Sequence, residues 1–249
     1  MRTKTLLLTA AALLAAGITS TQAQPVYSQN VVGYASVATP AGQYSMLTIP
    51  FAIGVSNGAN EIWPVVNGVP TLQDSSAILI WNAKTLSYTT YYADSAGSSS
   101  GWDDANGPIP NSPLLPVGQG FFLVPNSSTT NTFAGTVAVN VGTSNKMVLN
   151  AGVYNLVGCV VPYAGPVTNG NPVTGAGGPG LSINSGLPDS STLLIWNPNT
   201  LSYTTYYSDS GSTSLWDDVN GPINLPPTIT VGQGYFLIPN SAFTWTVGL

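Results

Sequence analysis

A short motif rich in side-chain oxygen, Trp-Asp-Asp-x-Asn-Gly-Pro, occurs at residues 102–108 and again at residues 216–222. Oxygen ligands on a turn that ends in glycine suit calcium. The motif therefore predicts two calcium sites, formed by Asp103, Asp104, Asn106, Asp217, Asp218 and Asn220. The match to an EF-hand loop is partial, because Trp102 stands where that loop has its first carboxylate. The alternative is that the Asp and Asn side chains cap their own turn while the tryptophan fills the core.

Aromatic side chains recur at matching places in the chain, and rings of this kind bind sugars by stacking on their faces. The candidates for such a carbohydrate platform are Trp81, Tyr91, Trp196 and Tyr206. On a strand, Tyr88 and Tyr92 lie on one face and Tyr91 on the other, so one of the two sets is expected in the core. Core packing or cross-strand pairing is therefore the alternative to sugar binding.

The residue types exclude most catalytic chemistry. The chain has no histidine, which removes Ser-His-Asp and Cys-His triads and histidine-based zinc sites. The one cysteine, Cys159, lies in an apolar run and is predicted to be a small core residue. Asp209-Ser210-Gly211 resembles the turn of aspartic proteases, but the first occurrence of this segment has an inserted residue. Adjacent aspartates on a loop point apart, which disfavours a glycosidase pair. We predict that the protein is not an enzyme.

Two long segments of the chain repeat each other. Residues 75–94 and 190–209 share 15 identities in 20 positions, and the Trp-Asp-Asp motif and a Val-Gly-Gln-Gly strand recur in the same order. These matches predict a repeat domain at 24–141, called the first copy below, and another at 142–249, called the second copy. The second copy has five extra residues between its anchors, which we assign to the Gly/Pro/Asn-rich loop from Pro166 to Gly180.

The pattern of apolar residues within each copy is that of β-strands. Ile78 to Trp81 and Leu86 to Tyr92 are β-branched and aromatic runs separated by a turn, which predicts a hairpin. Alternation from Phe133 to Val141 predicts a further strand, as do Val31 to Thr39 and Ala242 to Leu249. With 20 prolines and 27 glycines, little helix is expected. The sequence predicts an all-β fold of two tandem, homologous, small β-sandwich or barrel-like domains.

The N-terminus has the features of a cleaved signal peptide at residues 1–23. Arg2 and Lys4 precede an apolar run from Leu6 to Gly17, and Thr21-Gln22-Ala23 places small residues at both recognition positions. No later stretch has the length of about 20 apolar residues that a membrane helix needs. The protein is therefore predicted to be secreted or held at the cell surface, without a transmembrane span.

Very little positive charge remains after the signal peptide. Two lysines, Lys84 and Lys146, stand against nine acidic residues, so the net charge is 2 minus 9, or −7. Nucleic-acid binding depends on lysine and arginine that displace counterions, so neither nucleic acid nor anionic lipid is an expected partner. The 43% of apolar residues is enough to form a core, which argues against disorder.

Several motifs together resemble a known family. They are Gln29-Asn30-Val31-Val32-Gly33-Tyr34, an Ala-Gly-x-Tyr segment, an Ile-Trp-Asn hairpin, the Trp-Asp-Asp turn and a Val-Gly-Gln-Gly-Phe-Phe strand. The chain resembles the uncharacterised secreted two-repeat β proteins of Verrucomicrobia-type bacteria. This resemblance implies a bacterial, exported protein and implies no activity.

The sequence as a whole predicts a non-enzymatic extracellular protein of structural or adhesion type. The alternative is a carbohydrate-binding module that uses the repeated Trp and Tyr residues. The expected partners are extracellular polysaccharide or cell-surface proteins, and no cofactor is expected unless calcium binds. The oligomeric state stays open.

Overall fold

The computed structural model describes residues 32–66, 69–138, 144–168, 181 and 187–248. The predicted signal peptide and most of the predicted 166–180 loop lie outside these residues. The described chain is almost entirely β, with a single short helix, α1, at Ala59–Ile62. The predicted all-β class is confirmed. None of the helices in the described ranges is long and apolar enough to cross a membrane.

The described chain forms 21 strands, eleven before residue 138 and ten after it. Those before residue 138 are β1 Val32–Thr39, β2 Ser45–Thr48, β3 Phe51–Ala52, β4 Val65–Val66, β5 Val69–Pro70, β6 Ala77–Asn82, β7 Ser87–Ala93, β8 Trp102–Asp104, β9 Gly107–Pro108, β10 Gly120–Val124 and β11 Thr129–Val137. Those after it are β12 Ser144–Leu149, β13 Asn155–Gly158, β14 Gly165–Pro166, β15 Thr192–Asn197, β16 Ser202–Ser208, β17 Trp216–Asp218, β18 Gly221–Pro222, β19 Thr228–Ile229, β20 Gly234–Ile238 and β21 Phe243–Gly248.

Two six-stranded antiparallel sheets dominate the structure, and their strands follow the same order. One sheet runs β2-β10-β6-β7-β8-β9 and the other β13-β20-β15-β16-β17-β18. The central hairpin β6–β7 pairs from Ala77 opposite Tyr92 to Asn82 opposite Ser87. Its turn is fixed by Asn82, whose side-chain oxygen accepts hydrogen bonds from the backbone N–H of Lys84 at 2.9 Å and of Thr85 at 3.3 Å. Asparagine at this place closes the turn by replacing a backbone acceptor.

Smaller sheets flank the large ones. β1, β11 and β3 form one of them, and β12 pairs with β21 in another. The alternation of apolar residues predicted β11 from Phe133 to Val141, but the strand begins four residues earlier and residues 139–143 lie outside the described ranges. The pattern of apolar residues does not reveal the earlier start, because a polar residue, Asn131, fills an inward position of the strand. Its side chain accepts a hydrogen bond from Trp63 Nε1 at 3.0 Å and donates one to Thr39 Oγ1 at 2.8 Å.

Trp63 lies between the small and the large sheet of the first copy. Its ring is 6.3 Å from that of Phe121 on β10, 6.3 Å from that of Phe133 on β11 and 6.4 Å from that of Trp102 on β8. Strands of the two sheets thus face each other across one tryptophan, as in a sandwich. Trp102 is fully buried, and its indole N–H donates a 2.6 Å hydrogen bond to Asn60 Oδ1 on α1. The tryptophan of the Trp-Asp-Asp motif is a core residue.

At one pair of matching buried positions, the residues of the two copies differ by a single hydroxyl group. Tyr235 on β20 is fully buried, and within the described chain its hydroxyl has no hydrogen-bond partner. The matching residue on β10 is Phe121, which is also fully buried. Burial raises the pKa of Tyr235 well above its ordinary value, so the hydroxyl stays neutral. A buried hydroxyl without a partner lowers the stability of the folded state.

We expect Tyr235→Phe to raise the free energy of unfolding by about 1 kcal/mol, because the substitution removes the buried hydroxyl and keeps the ring. Urea unfolding followed by far-UV circular dichroism measures the change. The reciprocal variant Phe121→Tyr is the control and is expected to lower stability. A loss of stability in Tyr235→Phe would contradict the assignment of an unpartnered hydroxyl.

Candidate functional site

The two large sheets meet through the faces that point away from their own small sheets. On β10, Phe121 and Leu123 point into the core of the first copy, so Phe122 between them points the other way. Phe122 joins three residues from the neighbouring strands in what we call the inter-copy cluster. Its members are Met46, Phe122, Leu156 and Phe236, each about 4 to 5% exposed. Two strands of each copy contribute, so this cluster belongs to neither copy alone.

Two tryptophans close the inter-copy cluster by reciprocal contacts. Trp81 of the first copy donates its indole N–H to the backbone oxygen of Tyr154 at 2.6 Å, and its ring centre is 5.5 Å from that of Phe236. Trp196 of the second copy donates to the backbone oxygen of Tyr44 at 2.6 Å and lies 5.6 Å from Phe122. The same contact is made in both directions, which places an approximate twofold axis between the sheets.

Tyr88 and Tyr203, which match each other in the repeat, lie close to one another between the two sheets. Burial raises the pKa of Tyr88 above its ordinary value, and the neighbouring Tyr203 raises it further. Burial also raises the pKa of Tyr203. Both phenols are therefore neutral at physiological pH and add no charge to the interface.

Backbone contacts hold the sheet edges together beside the cluster. Thr48 N–H donates to the oxygen of Gly232 at 2.8 Å, and Gly158 N–H donates to the oxygen of Gly118 at 2.9 Å. A Cβ atom at Gly158 would collide with the side chain of Thr48. Glycine at this position therefore permits the close approach of β13 to β2.

A pair of matching grooves opens on either side of this interface. The Trp196 groove, a cavity of about 220 Å³, is lined by Trp196 and Pro198 of the second copy and by β1 and β2 of the first. The Trp81 groove has an inner lobe of about 260 Å³, lined by Trp81 and Ala83 of the first copy and by β12 and β13 of the second. Each groove thus places the tryptophan of one copy against two strands of the other.

The Trp81 groove continues into a second, outer lobe of about 370 Å³ that shares Trp81 and Ala83 with the inner one. The structure brings the predicted residues Trp81 and Tyr91 together in the lining of this lobe. Its remaining residues are mostly polar and include Asn82, Lys84, Thr89 and Asn150. The sequence analysis missed Lys84 and Asn150. Lys84 lies in the hairpin turn and Asn150 directly follows β12, and no sequence pattern shows that these two places meet when the copies pack together.

The other two predicted platform residues are placed differently. Trp196 lines its own groove, whereas Tyr206 does not contribute to that lining. Tyr206 packs against the core, as Tyr91 also does. Burial raises the pKa of Tyr206, and nearby Asp218 raises it further. Of the four predicted platform residues, only Trp81 and Tyr91 therefore line the same groove.

The Trp-Asp-Asp motifs form turns stabilised by their second aspartate. Asp104 Oδ1 accepts the backbone N–H of Asn106 at 2.7 Å, and Asp218 Oδ1 accepts that of Asn220 at the same distance. These are the turn-capping contacts that the sequence analysis weighed against calcium binding. Within the described ranges there is no group of three or more Asp, Glu, His or Cys side chains arranged to hold a metal ion. The calcium site stays a prediction.

The first aspartate of each motif lies beside an aspartate that the sequence analysis did not select. Asp103 lies beside Asp94, and Asp217 beside Asp209. Within the described chain, Oδ1 of Asp103 and Oδ1 of Asp217 are buried without a hydrogen-bond partner. Shielding from solvent and then the neighbouring Asp94 raise the pKa of Asp103, and the pKa of Asp217 is raised in the same way. The register explains the proximity, because Asp103 pairs with Tyr92 and Asp94 lies two residues further along the same face of β7, at a diagonal position.

Cys159 offers no nucleophile. The thiol is buried in the core of the second copy, and burial raises its pKa to about 12. A thiol that stays protonated at neutral pH reacts slowly with electrophiles. Cys159 is therefore a core residue, at the place where the first copy has Ile49.

Comparisons of the chain with protein-family models, with curated proteins and with solved structures give no match. The features of the molecule that bear on its function are therefore the two grooves, the acidic pairs and the interface between the copies.

We expect Asp103→Asn to raise the melting temperature at pH 7. A raised pKa means that the folded state binds the proton of Asp103 more tightly than the unfolded chain does. The carboxyl group therefore favours folding at low pH, and this contribution is lost as the pH rises through the raised pKa. Melting curves between pH 3 and pH 8 should show that the advantage of the variant disappears below the ordinary pKa of 3.8.

Glu61→Gln is the control, and it is expected to shift the melting temperature at pH 7 in the opposite direction. Glu61 accepts backbone N–H bonds from Val55, Ser56 and Gly58 at 2.7 to 3.0 Å, which lower its pKa from 4.5 to about 2. Its contribution is present above pH 4.5 and is lost as the pH falls towards 2, so the variant should melt earlier at pH 7. If both variants shift in the same direction at pH 7, the assignment of the two carboxyl groups is wrong. Repeating the melts in millimolar calcium tests the calcium prediction. An unchanged melting temperature would contradict it.

Proposed function

We propose that this protein is a non-enzymatic extracellular β protein of structural or adhesion type. The observation that carries the proposal is the use of the aromatic residues. Trp81, Trp196, Tyr88, Tyr203 and Phe122 all join the two large sheets to each other. Side chains of this size provide most of the binding energy in interfaces, so the two copies form one rigid body.

The arrangement of chemical groups supports a role without catalysis. The chain has no histidine, and its one thiol is buried and protonated. The acidic pairs Asp94–Asp103 and Asp209–Asp217 do not line the Trp81 or the Trp196 groove. A substrate bound in either groove would not meet a pair of carboxyl groups.

The scarcity of positive charge supports an extracellular role that involves neither nucleic acid nor anionic lipid. Solubility depends on exposed Ser, Thr and Asn residues, because only 5% of the residues are charged. The predicted signal peptide, which lies outside the described residues, agrees with export. Polysaccharide and cell-surface proteins are the proposed partners.

We expect the two interface tryptophans to contribute equally to stability. Trp81→Phe and Trp196→Phe each remove one indole N–H and leave a backbone carbonyl without its donor, so each should lower the free energy of unfolding by about 1 to 2 kcal/mol. Because the two contacts are reciprocal, the losses should be nearly equal. Far-UV circular dichroism during urea unfolding measures both, and wild-type protein should unfold in one transition.

Tyr92→Phe is the matched control, because Tyr92 belongs to the same hairpin and is 43% exposed. It should leave stability unchanged. Two separate transitions in wild-type protein would contradict the single rigid body.

The absence of catalysis is tested directly. Purified protein should sediment with bacterial cell-wall or extracellular polysaccharide fractions while releasing neither reducing sugar ends nor new amino groups. The expectation follows from the lack of a carboxylate pair or nucleophile in the grooves. Turnover of any polysaccharide or peptide in such a panel, abolished by Asp103→Asn or Asp217→Asn, would overturn the proposal in favour of a hydrolase.

A carbohydrate-binding module is the second candidate, and one observation favours it. The outer lobe of the Trp81 groove combines two aromatic rings, Trp81 and Tyr91, with the amide side chains of Asn82 and Asn150. Aromatic faces stack on sugar rings, and amides pair with hydroxyl groups. A glycan array without any bound sugar would remove this candidate.

A further inference from the structure

Of the two positive side chains of the described chain, one lines the Trp81 groove and the other is next to a residue that lines it. Within the described ranges the basic residues are Lys84 and Lys146, against nine acidic ones. Lys84 lines the outer lobe. Lys146 does not line either lobe, but it is exposed on β12 directly before Met147, the first β12 residue in the lining of the inner lobe. A chain with so few cations therefore places both beside one groove.

The acidic residues of the same hairpin lie at its other end. Asp74 precedes β6 and Asp94 follows β7, whereas Lys84 is in the turn that joins these strands. Six paired residues at roughly 3.3 Å each separate the two ends by about 20 Å. The Debye length is about 8 Å at physiological ionic strength, so these carboxylates act weakly on a charge bound near Lys84.

The Trp196 groove provides a neutral counterpart in the same molecule. At the place of Lys84 the second copy has Asn199, and at the place of Lys146 the first copy has Ser36. Both lysines and both of these replacements are exposed. The two grooves thus share a tryptophan and its hydrogen bond to the other copy, and they differ in charge.

The Trp81 ring is held in place before any ligand binds. Its N–H is bonded to the backbone oxygen of Tyr154, so a ring that lines both lobes is already ordered and needs little further loss of entropy on binding. Asn82 uses its oxygen within the turn, which leaves its amide N–H groups to donate. Gln119, in the inner lobe, has no side-chain partner within the described chain, and its match Gln233 is bonded to Thr230. Pro116 replaces that threonine in the first copy and has no N–H to offer.

We propose that the Trp81 groove binds an acidic glycan, in which a sugar ring stacks on Trp81 and its carboxylate or sulfate group pairs with Lys84 and Lys146. This proposal rests on the carbohydrate-binding candidate and adds the class of sugar. The amides of Asn82, Asn150 and Gln119 supply hydrogen bonds to hydroxyl groups. The Trp196 groove, with Asn199 and Ser36, has no preference for charge.

The test measures binding of three probes to the full mature chain by isothermal titration calorimetry. The probes are a galacturonate hexamer, a sulfated galactan oligosaccharide and neutral cellohexaose. The wild-type protein should bind at least one acidic probe more tightly than cellohexaose, and more weakly as salt increases. Comparison of the first two probes decides between carboxylate and sulfate.

The variants exchange residues between the grooves. Lys84→Asn and Lys146→Ser each introduce the residue of the matching position, and each should weaken acidic-probe binding about two- to fivefold, the value of an exposed ion pair. Cellohexaose binding should not change. Ser36→Lys with Asn199→Lys should create a second acidic-glycan site on the Trp196 groove, doubling the stoichiometry.

Four results would overturn the proposal. Equal binding of acidic and neutral probes, or acidic binding that is unchanged in the lysine variants, would refute the acidic class and leave the carbohydrate-binding candidate intact. Failure to bind any glycan would refute both. Tighter, lysine-dependent binding of oligo-dT or of anionic phosphatidylglycerol vesicles would assign the groove to another polyanion.

Discussion

The reciprocal hydrogen bonds from Trp81 to the Tyr154 carbonyl and from Trp196 to the Tyr44 carbonyl hold the two large sheets in one arrangement. The inter-copy cluster lies between them and loses its cover if either sheet moves away. The two grooves depend on the same contacts, because each has one wall from each copy. With almost no charge available, aromatic packing and hydrogen bonds to backbone oxygens carry this interface.

Much of the local structure could be predicted from the residues. The hairpin β6–β7 and its match β15–β16 lie where β-branched and aromatic runs flank a turn, and β1 and β21 lie within the predicted stretches. The start of β11 was missed since Asn131, a polar residue, fills an inward position and is satisfied by Trp63 and Thr39. A period of two identifies apolar positions, but it cannot recognise a buried polar residue whose partners are distant in sequence.

The candidate site was harder to predict than the fold. Alternation shows that Trp81 and Tyr91 leave their strands in different directions, but it does not show which surface covers each one. The second copy covers Trp81 and supplies Asn150 to the groove, a contact that joins residues about 70 positions apart. In the same way, strand register makes Asp94 a diagonal neighbour of Asp103, while the sequence neighbour Asp104 caps a turn. Sequence proximity was a poor guide to which carboxyl groups meet.

The approximate twofold axis between the copies is the symmetry of a homodimer whose subunits have been fused into one chain. In a true homodimer, every substitution changes both grooves at once. A fused chain is free of this constraint, and its halves stay together because association within a chain proceeds at millimolar effective concentration. Phe121 and Tyr235, or Lys84 and Asn199, could therefore diverge one at a time. Fusion thus gives a symmetric architecture two independently adjustable surfaces.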